Sequence, residues 1–106
     1  MEKTALEFAK DNEISTSSET VPDLSDYMNY RLYLKDFYRF KRAQTKQDLR
    51  PYSYGTFSAA ANIRSPNYLK MIIEGKRNLS LDMVGKFGKA LGLSKLQTEE
   101  FKLLVQ

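Results

Sequence analysis

The sequence predicts an all-α fold in which five short helices follow an acidic N-terminal arm. Apolar residues between positions 53 and 106 recur at intervals of three and four, the spacing that places side chains on one face of a helix. Serines precede several of these stretches, and glycine or asparagine follows them. Serine is a preferred N-cap and glycine a preferred residue just after a helix, so these helices are predicted to be short and sharply bounded.

Residues 1–26 are expected to form an acidic and largely disordered arm. They hold two lysines and seven carboxylates, a net charge of −5, and residues 15–22 are rich in hydroxyl groups and poor in large apolar ones. A brief helix over residues 6–10 is compatible with this sequence. We hypothesise that the arm masks the basic part of the chain electrostatically, and a merely solvated tail is the simpler alternative.

The first helix is predicted over residues 29–43. Spacings of three, four and seven between apolar residues indicate packing on a small core. The apolar side carries Tyr30, Tyr33, Leu34, Phe37 and Phe40, and the other sides carry Arg31, Lys35, Arg39, Lys41 and Arg42. Interleaved aromatic and basic side chains can also stack on single-stranded nucleic acid. Tyr38, which lies off the apolar side, is the aromatic residue expected to be exposed. Residues 44–51 form a polar loop.

The second helix is predicted over residues 54–61, with Ser53 as its N-cap. Alanines at 59–61 leave room for another helix to approach closely. Asn62 follows, and asparagine adopts the left-handed backbone of a helix end more readily than other residues that carry a side chain. Ile63 is expected to fill the core beneath this turn.

The third helix is predicted to begin at Ser65-Pro66, with serine as the N-cap and proline at the first helical position. Gly75 ends it. Its buried face consists of Leu69, Ile72 and Ile73, and its side chains towards solvent or a partner are Asn67, Lys70, Met71 and Glu74.

The fourth helix is predicted over residues 81–91, between the N-cap Ser80 and the stop Gly92. Its buried face consists of Val84, Phe87 and Leu91.

Ser94 opens a fifth helix, and Gln97 completes its capping-box pattern. This helix carries more apolar surface than one shallow contact requires, namely Leu96, Phe101, Leu103, Leu104 and Val105. Either the helix packs back on the core, or part of it pairs with a second copy of the chain or with a further domain.

Charge is distributed unevenly along the chain. Residues 27–106 hold 15 basic and 6 acidic side chains, a net charge of +9, whereas the arm is acidic. A basic domain of this kind is the electrostatic footprint of a polyanion binder. Charge alone does not choose between DNA, RNA and a membrane surface.

The composition argues against catalysis and against a metal or cofactor. The chain has no cysteine and no histidine, which removes the commonest metal ligands and the commonest general base. Its carboxylates are scattered through the arm or lie on an exposed turn at Glu99 and Glu100. No apolar run approaches the roughly twenty residues of a membrane span, and no signal-peptide pattern is present, so the cytoplasm is the expected compartment.

Residues 53–93 resemble the helix-turn-helix domains of the phage-repressor and Cro class. The resemblance rests on a helix that ends in Gly75-Lys76-Arg77 and on a capped helix that closes with Lys89-Ala90-Leu91-Gly92-Leu93. It implies a compact five-helix, repressor-like domain that binds double-stranded DNA and regulates transcription without chemistry of its own.

Three segments, residues 30–40, 65–70 and 75–80, also resemble the N-terminal part of a poorly characterised family of longer bacterial proteins that are regarded as transcriptional regulators. This likeness implies that the chain corresponds to the head of a longer product whose C-terminal domain is missing here.

The resemblance to repressors implies that the first residues of the third helix, and residues one turn later in it, contact the edges of DNA bases. The implied residues are Ser65, Pro66, Asn67, Lys70 and Met71. Asparagine can pair bidentately with adenine and lysine can reach guanine acceptors. Proline offers no donor there, and methionine offers only an apolar contact to a thymine methyl group.

The resemblance places phosphates beside the N-terminus of the second helix and beside the loop after the third. The implied residues are Ser53, Tyr54, Lys76, Arg77 and Asn78. Arg64 is an extra residue in the turn relative to the class. It either contacts a phosphate or tilts the third helix away from the bases.

Three functions are therefore weighed. The leading one is double-stranded DNA binding in transcriptional control, with a homodimer through the C-terminal helix as a further expectation. The second is a protein-interaction module that keeps the helical scaffold without binding DNA, which the poor reading face of Pro66 and Met71 would explain. The third is single-stranded RNA binding, which requires Tyr38, Tyr52 or Tyr54 on the basic face.

Overall fold

A computed structural model describes residues 20–106, so the brief helix considered at residues 6–10 lies outside the described part of the chain. Single turns of 3₁₀ helix at Leu24–Asp26 and Leu81–Met83 precede the first and the fourth α-helix. The α-helices are α1 (Tyr30–Gln44), α2 (Tyr54–Ala60), α3 (Tyr68–Ile73), α4 (Val84–Leu91) and α5 (Lys95–Val105). The predicted all-α fold with five helices is confirmed.

All five α-helices contribute to one hydrophobic core. The side chains that are completely buried include Leu34 of α1, Phe57 of α2, Leu69 of α3, Phe87 of α4 and Phe101 of α5. Aromatic rings in this core meet edge to face, as Phe57 and Phe87 do with centroids 4.9 Å apart and planes at 71°. This geometry places the positive edge of one ring on the negative face of the other and adds to the stabilisation from burial.

The contacts between helices place α2 directly beside α3. α3 contacts both α1 and α2, while α4 contacts α2 and α5. α5 also packs on α1 and on the turn Leu24–Asp26. Two short helices in direct contact across a turn are the central feature of a helix-turn-helix unit. None of the helices in residues 20–106 has the length and apolar character that crossing a bilayer requires.

Three of these helices end in the same way. The N–H that follows the left-handed residue donates to the carbonyl five residues earlier, from Ile63 to Ser58 (2.8 Å), Lys76 to Met71 (2.9 Å) and Leu93 to Gly88 (2.9 Å). The left-handed residues are Asn62, Gly75 and Gly92, with φ of 58°, 78° and 75°. This pairing satisfies carbonyls that a helix end otherwise leaves free. The three predicted helix stops are confirmed.

The predicted start of the third helix is wrong. α3 begins at Tyr68, and Asn67 occupies the N-cap position without a side-chain cap bond. The carbonyl of Ser65 accepts from the Tyr68 N–H at 3.5 Å and from the buried Ser58 hydroxyl at 2.7 Å. Ser65 therefore belongs to a turn that Ser58 ties to α2, and the regular helix forms only after it.

The predicted start of the fourth helix is also displaced. Ser80 precedes the 3₁₀ turn Leu81–Met83 and makes no side-chain cap bond, and α4 begins at Val84. By contrast, the predicted N-caps Ser53 and Ser94 both form complete capping boxes, with Thr56 and Gln97 respectively. The first helix differs from its predicted bounds by one residue at each end.

The packed domain begins earlier than predicted. Leu24, which the sequence analysis assigned to the disordered arm, is 4% exposed, and its turn packs on α5. Asp23 caps this turn by accepting from the Ser25 N–H at 3.0 Å, and this bond lowers the pKa of the Asp23 carboxyl. Tyr27 packs edge to face on Tyr33, with centroids 5.3 Å apart. These residues are part of the folded domain because Leu24 and Tyr27 anchor the segment to the core.

Candidate nucleic-acid interface

The start of α2 and the lead-in to α3 lie side by side. A Cβ atom built on Gly55 would be 4.0 Å from the Cβ of Pro66. Seven residues, 61–67, separate α2 from α3, which is longer than the three or four residues typical of a helix-turn-helix turn. The longer turn includes Arg64, which is exposed and has no ion pair within residues 20–106.

The residues predicted to meet base edges lie on the open side of α3. Asn67 and Lys70 are exposed and Met71 is half-buried, whereas Leu69 and Ile72 on the opposite side are fully buried. The Asn67 amide makes no cap bond, and Lys70 has no ion pair in the described part of the chain. Both polar groups are therefore available to a partner.

The predicted phosphate-facing residues of α2 are held by local contacts. Ser53 Oγ accepts from the Thr56 N–H, and the Ser53 N–H donates to Thr56 Oγ1, both at 3.1 Å. The Tyr54 ring stacks on Tyr38 of α1, with centroids 4.0 Å apart and planes 3° from parallel. Burial raises the pKa of Tyr54. Like any tyrosine at neutral pH, it keeps its hydroxyl proton and can donate it in a hydrogen bond.

α1 holds the loop that follows α3. The Arg31 guanidinium donates to the carbonyl of Arg77 at 2.9 Å, to the carbonyl of Ile72 and to Oδ1 of Asn78. The Leu79 N–H donates to the Tyr30 hydroxyl at 3.2 Å. The sequence alone indicates no role for Arg31 beyond the basic side of α1. The helical pattern alone does not reveal which of five cations on α1 reaches a loop some forty residues later.

The three predicted phosphate-contacting residues of this loop each have a partner within the domain. The Arg77 guanidinium lies 4.5 Å from the centroid of the Tyr68 ring, and Lys76 Nζ lies 3.3 Å from Glu74 Oε1. All three side chains are nonetheless exposed. The stack on Tyr68 orients Arg77 and leaves N–H groups for a ligand. The Lys76–Glu74 pair is worth only about 0–1 kcal/mol, so it is no barrier to a phosphate.

The aromatic residues considered for single-strand stacking are mostly covered. Tyr52 is 8% exposed, and its ring meets Phe37 edge to face. Tyr38, expected to be exposed, is half-buried between Tyr54, Tyr52 and the Arg42 side chain. Tyr38, Tyr52 and Tyr54 therefore do not form a row of exposed ring faces on which successive bases could stack.

Within residues 20–106, no group of three or more histidine, cysteine or carboxylate side chains is placed to hold a metal ion. The described residues form a small helical domain with many exposed cations. Comparisons of the chain with protein-family models, with curated proteins and with solved structures find no match.

Proposed function

We propose that this chain binds double-stranded DNA through α2 and α3 and acts in transcriptional regulation. The observation that carries the proposal is the pair of unoccupied, exposed groups on α3, the Asn67 amide and the Lys70 ammonium. They lie in residues 27–106, which carry a net charge of +9. Asparagine and lysine at the start of a helix are among the side chains that read base edges in the major groove.

The proposed contacts divide into two kinds. Asn67 pairs with an adenine edge and Lys70 with guanine acceptors, with Ser65 and Met71 beside them. Phosphate contacts come from the exposed cations around this face, chiefly Arg77, which Tyr68 orients. Asn78 contributes its amide N–H groups, while its oxygen accepts from Arg31.

The test is fluorescence-anisotropy binding of the chain to a labelled random duplex across a salt series. We expect micromolar or tighter binding with a steep salt dependence, because neutralised phosphates release counterions. Lys70→Glu/Arg77→Glu should abolish binding. Lys95→Glu/Lys102→Glu, which makes the same charge change on α5, is the matched control and should bind more tightly than the first variant. Absence of binding at low salt contradicts the proposal.

Single substitutions separate the two kinds of contact. We expect Arg77→Ala to weaken binding to every duplex and to lower the salt slope by about one, because one phosphate contact is lost. Asn67→Ala should cost about 1–3 kcal/mol on a selected cognate duplex and little on random DNA. Binding to cognate and random duplexes is measured for both variants in parallel. Identical behaviour would contradict the assignment of roles.

A protein-interaction module is the second candidate, favoured by the outer side of α5. Leu96 and Leu103, seven residues apart and therefore on one side of the helix, are 72% and 70% exposed. A homodimer through this side is compatible with DNA binding to two half-sites, whereas a module without DNA binding would use it alone. Sedimentation equilibrium of the wild type and of Leu96→Glu/Leu103→Glu tests for the homodimer. The duplex titration then distinguishes the two candidates.

A further inference from the structure

A groove lies between the end of α1 and the loop that leads into α2. Its volume is about 320 Å³, and Arg42, Ala43, Lys46 and Pro51 line it. We call it the α1–α2 groove. Pro51 is two residues before Ser53, so the groove adjoins the end of α2 that faces phosphate in the proposed complex.

A threonine closes the base of the loop. Thr45 Oγ1 accepts from the Tyr52 N–H and donates to the Lys41 carbonyl, both at 2.8 Å. The Asp48 N–H donates to the Thr45 carbonyl at 2.9 Å, which makes a tight turn after α1. These bonds hold the two ends of the loop, and with them the walls of the groove, at a defined separation.

Arg42 is held in place by neutral groups. Its Nη1 donates to the Tyr52 carbonyl at 3.2 Å, and its guanidinium carbon lies 5.9 Å from the centroid of the Tyr38 ring. A guanidinium has five N–H donors, so this contact leaves most of them for a ligand. The Tyr38 ring also stacks on Tyr54, with centroids 4.0 Å apart, so the groove lies near the start of α2.

The two cations of the groove lack a carboxylate partner. In residues 20–106 the single ion pair within 4 Å joins Lys76 to Glu74, so Asp48, the acid nearest in sequence, pairs with neither Arg42 nor Lys46. Lys46 is exposed. An arginine and a lysine beside a concave surface, with no counter-charge in contact, form a site for an anion such as a phosphate group.

We infer that the α1–α2 groove binds a backbone phosphate of duplex DNA outside the bases that α3 contacts, through Arg42 and Lys46. The inference rests on the proposed function and extends that interface from α2 and α3 onto α1. Duplex DNA is the favoured occupant because Pro51, which lines the groove, leads along the chain into Ser53 and Tyr54, which lie beside phosphate in the proposed complex. Contacts to phosphate add affinity and set orientation without sequence preference.

The experiment measures the salt slope of random-duplex binding for the full chain and three variants. Lys46→Ala should lower the slope by about one and weaken cognate and random duplexes equally. Leu49→Ala alters the same loop without changing charge, and Leu49 is 103% exposed. Lys95→Ala removes the same charge from α5. Both controls should keep the wild-type slope, and thermal unfolding by circular dichroism verifies that each variant is folded.

A second variant tests the groove without removing a cation. Ala43→Glu places a carboxylate between Arg42 and Lys46, where it competes with phosphate, and we expect a loss of duplex affinity larger than that of Lys46→Ala. A wild-type slope in both Lys46→Ala and Ala43→Glu, with a lowered slope in Arg77→Ala, would overturn this inference and leave the proposed function standing.

Other results overturn the inference in different ways. If Lys46→Ala and Lys95→Ala changed the salt slope equally, the effect would come from overall charge and not from the groove. Lys46-dependent binding of single-stranded RNA in preference to duplex would show a different occupant. No duplex binding by the wild type at low salt would overturn the proposed function together with this inference.

Discussion

Arg31 joins α1 to the loop after α3 through three acceptors, two of them main-chain carbonyls. A planar guanidinium with five donors suits such a set, whereas an ammonium would not span it. The position of Arg77 in the proposed interface therefore depends on a residue that is not among the proposed DNA contacts. Arg31 is a positioning residue for this loop.

We predict that Arg31→Ala lowers the free energy of unfolding by about 1–3 kcal/mol, because several charge-assisted hydrogen bonds are lost together. Arg31→Lys should recover little of this loss. Urea denaturation followed by circular dichroism measures both. Arg39→Ala, on the exposed side of the same helix, is the control and should stay within about 0.5 kcal/mol of the wild type. Equal effects at positions 31 and 39 would refute the positioning role.

Two buried tyrosines make stability sensitive to alkaline pH. Burial raises the pKa of Tyr33 and of Tyr52 to about 12. Because the tyrosines of the unfolded chain titrate near their ordinary pKa of about 10, the unfolded chain releases these protons first as the pH rises. Their contribution to stability is complete below about pH 10 and is lost as the pH rises through about 12.

We predict that the free energy of unfolding falls between pH 10 and 12, at up to about 1.4 kcal/mol per pH unit for each tyrosine. Urea denaturation at pH 8, 10 and 11 measures the slope. Tyr33→Phe/Tyr52→Phe removes two of the tyrosines with a raised pKa and should reduce the slope, while Tyr27 and Tyr54, whose pKa is also raised, keep the remainder. A slope equal to that of the wild type would assign the effect to other groups.

At the scale of helices, α4 and α5 meet at a glycine. A Cβ atom on Gly88 would lie 2.6 Å from Thr98 Oγ1 and 3.0 Å from Thr98 Cγ2. The Thr98 hydroxyl also donates to the Ser94 carbonyl at 2.8 Å, so its rotamer is set by the first turn of α5. The close approach of the two helices therefore requires a residue without a side chain at position 88.

We predict that Gly88→Ala lowers the free energy of unfolding by about 1–3 kcal/mol, because Thr98 or the helix axis must shift. Gly85→Ala, on the same helix with nothing within 4 Å of the added atom, should instead stabilise by about 0.5–1 kcal/mol. Thermal or urea unfolding measures the stability of both variants. Thr98→Ala in the Gly88→Ala background should restore part of the loss, and a stable Gly88→Ala would contradict the packing argument.

At the scale of the whole molecule, opposite charges divide along the chain. Residues 1–19 contain two lysines and five carboxylates, a net charge of −3, and they precede a domain whose cations are almost all unpaired within residues 20–106. The masking hypothesis is that the acidic segment competes with phosphate for the basic surface. Because Leu24 belongs to the core, a test must remove residues 1–19 and leave Leu24 in place.

We predict that deletion of residues 1–19 tightens binding to random duplex at low salt and that the gain disappears at high salt. A full-length variant with the five carboxylates of this segment changed to amides is the matched control and should reproduce the gain. Anisotropy titrations measure all three chains. Unchanged low-salt affinity in both variants would rule out masking.

Local chemistry in the sequence was enough for the helix count, the three helix stops and the N-caps Ser53 and Ser94. Each depends on residues within one turn, as Asn62, Gly75 and Gly92 show by their left-handed backbones. The start of α3 could not be predicted in this way, because Ser65 gives its carbonyl to Ser58 of another helix. The exposure of Asn67 and Lys70 follows from helical periodicity.

Tertiary structure alone decided which cations are free and which are engaged. Arg31 binds a loop more than forty residues away, Arg77 stacks on Tyr68, and Arg42 joins Lys46 in a groove. Leu24 entered the core because α5, from the far end of the chain, packs on its turn. The physical reason is the distance along the chain over which each kind of interaction acts. Capping and periodicity act over a few residues, whereas the partners of a long cationic side chain are set by how the helices pack.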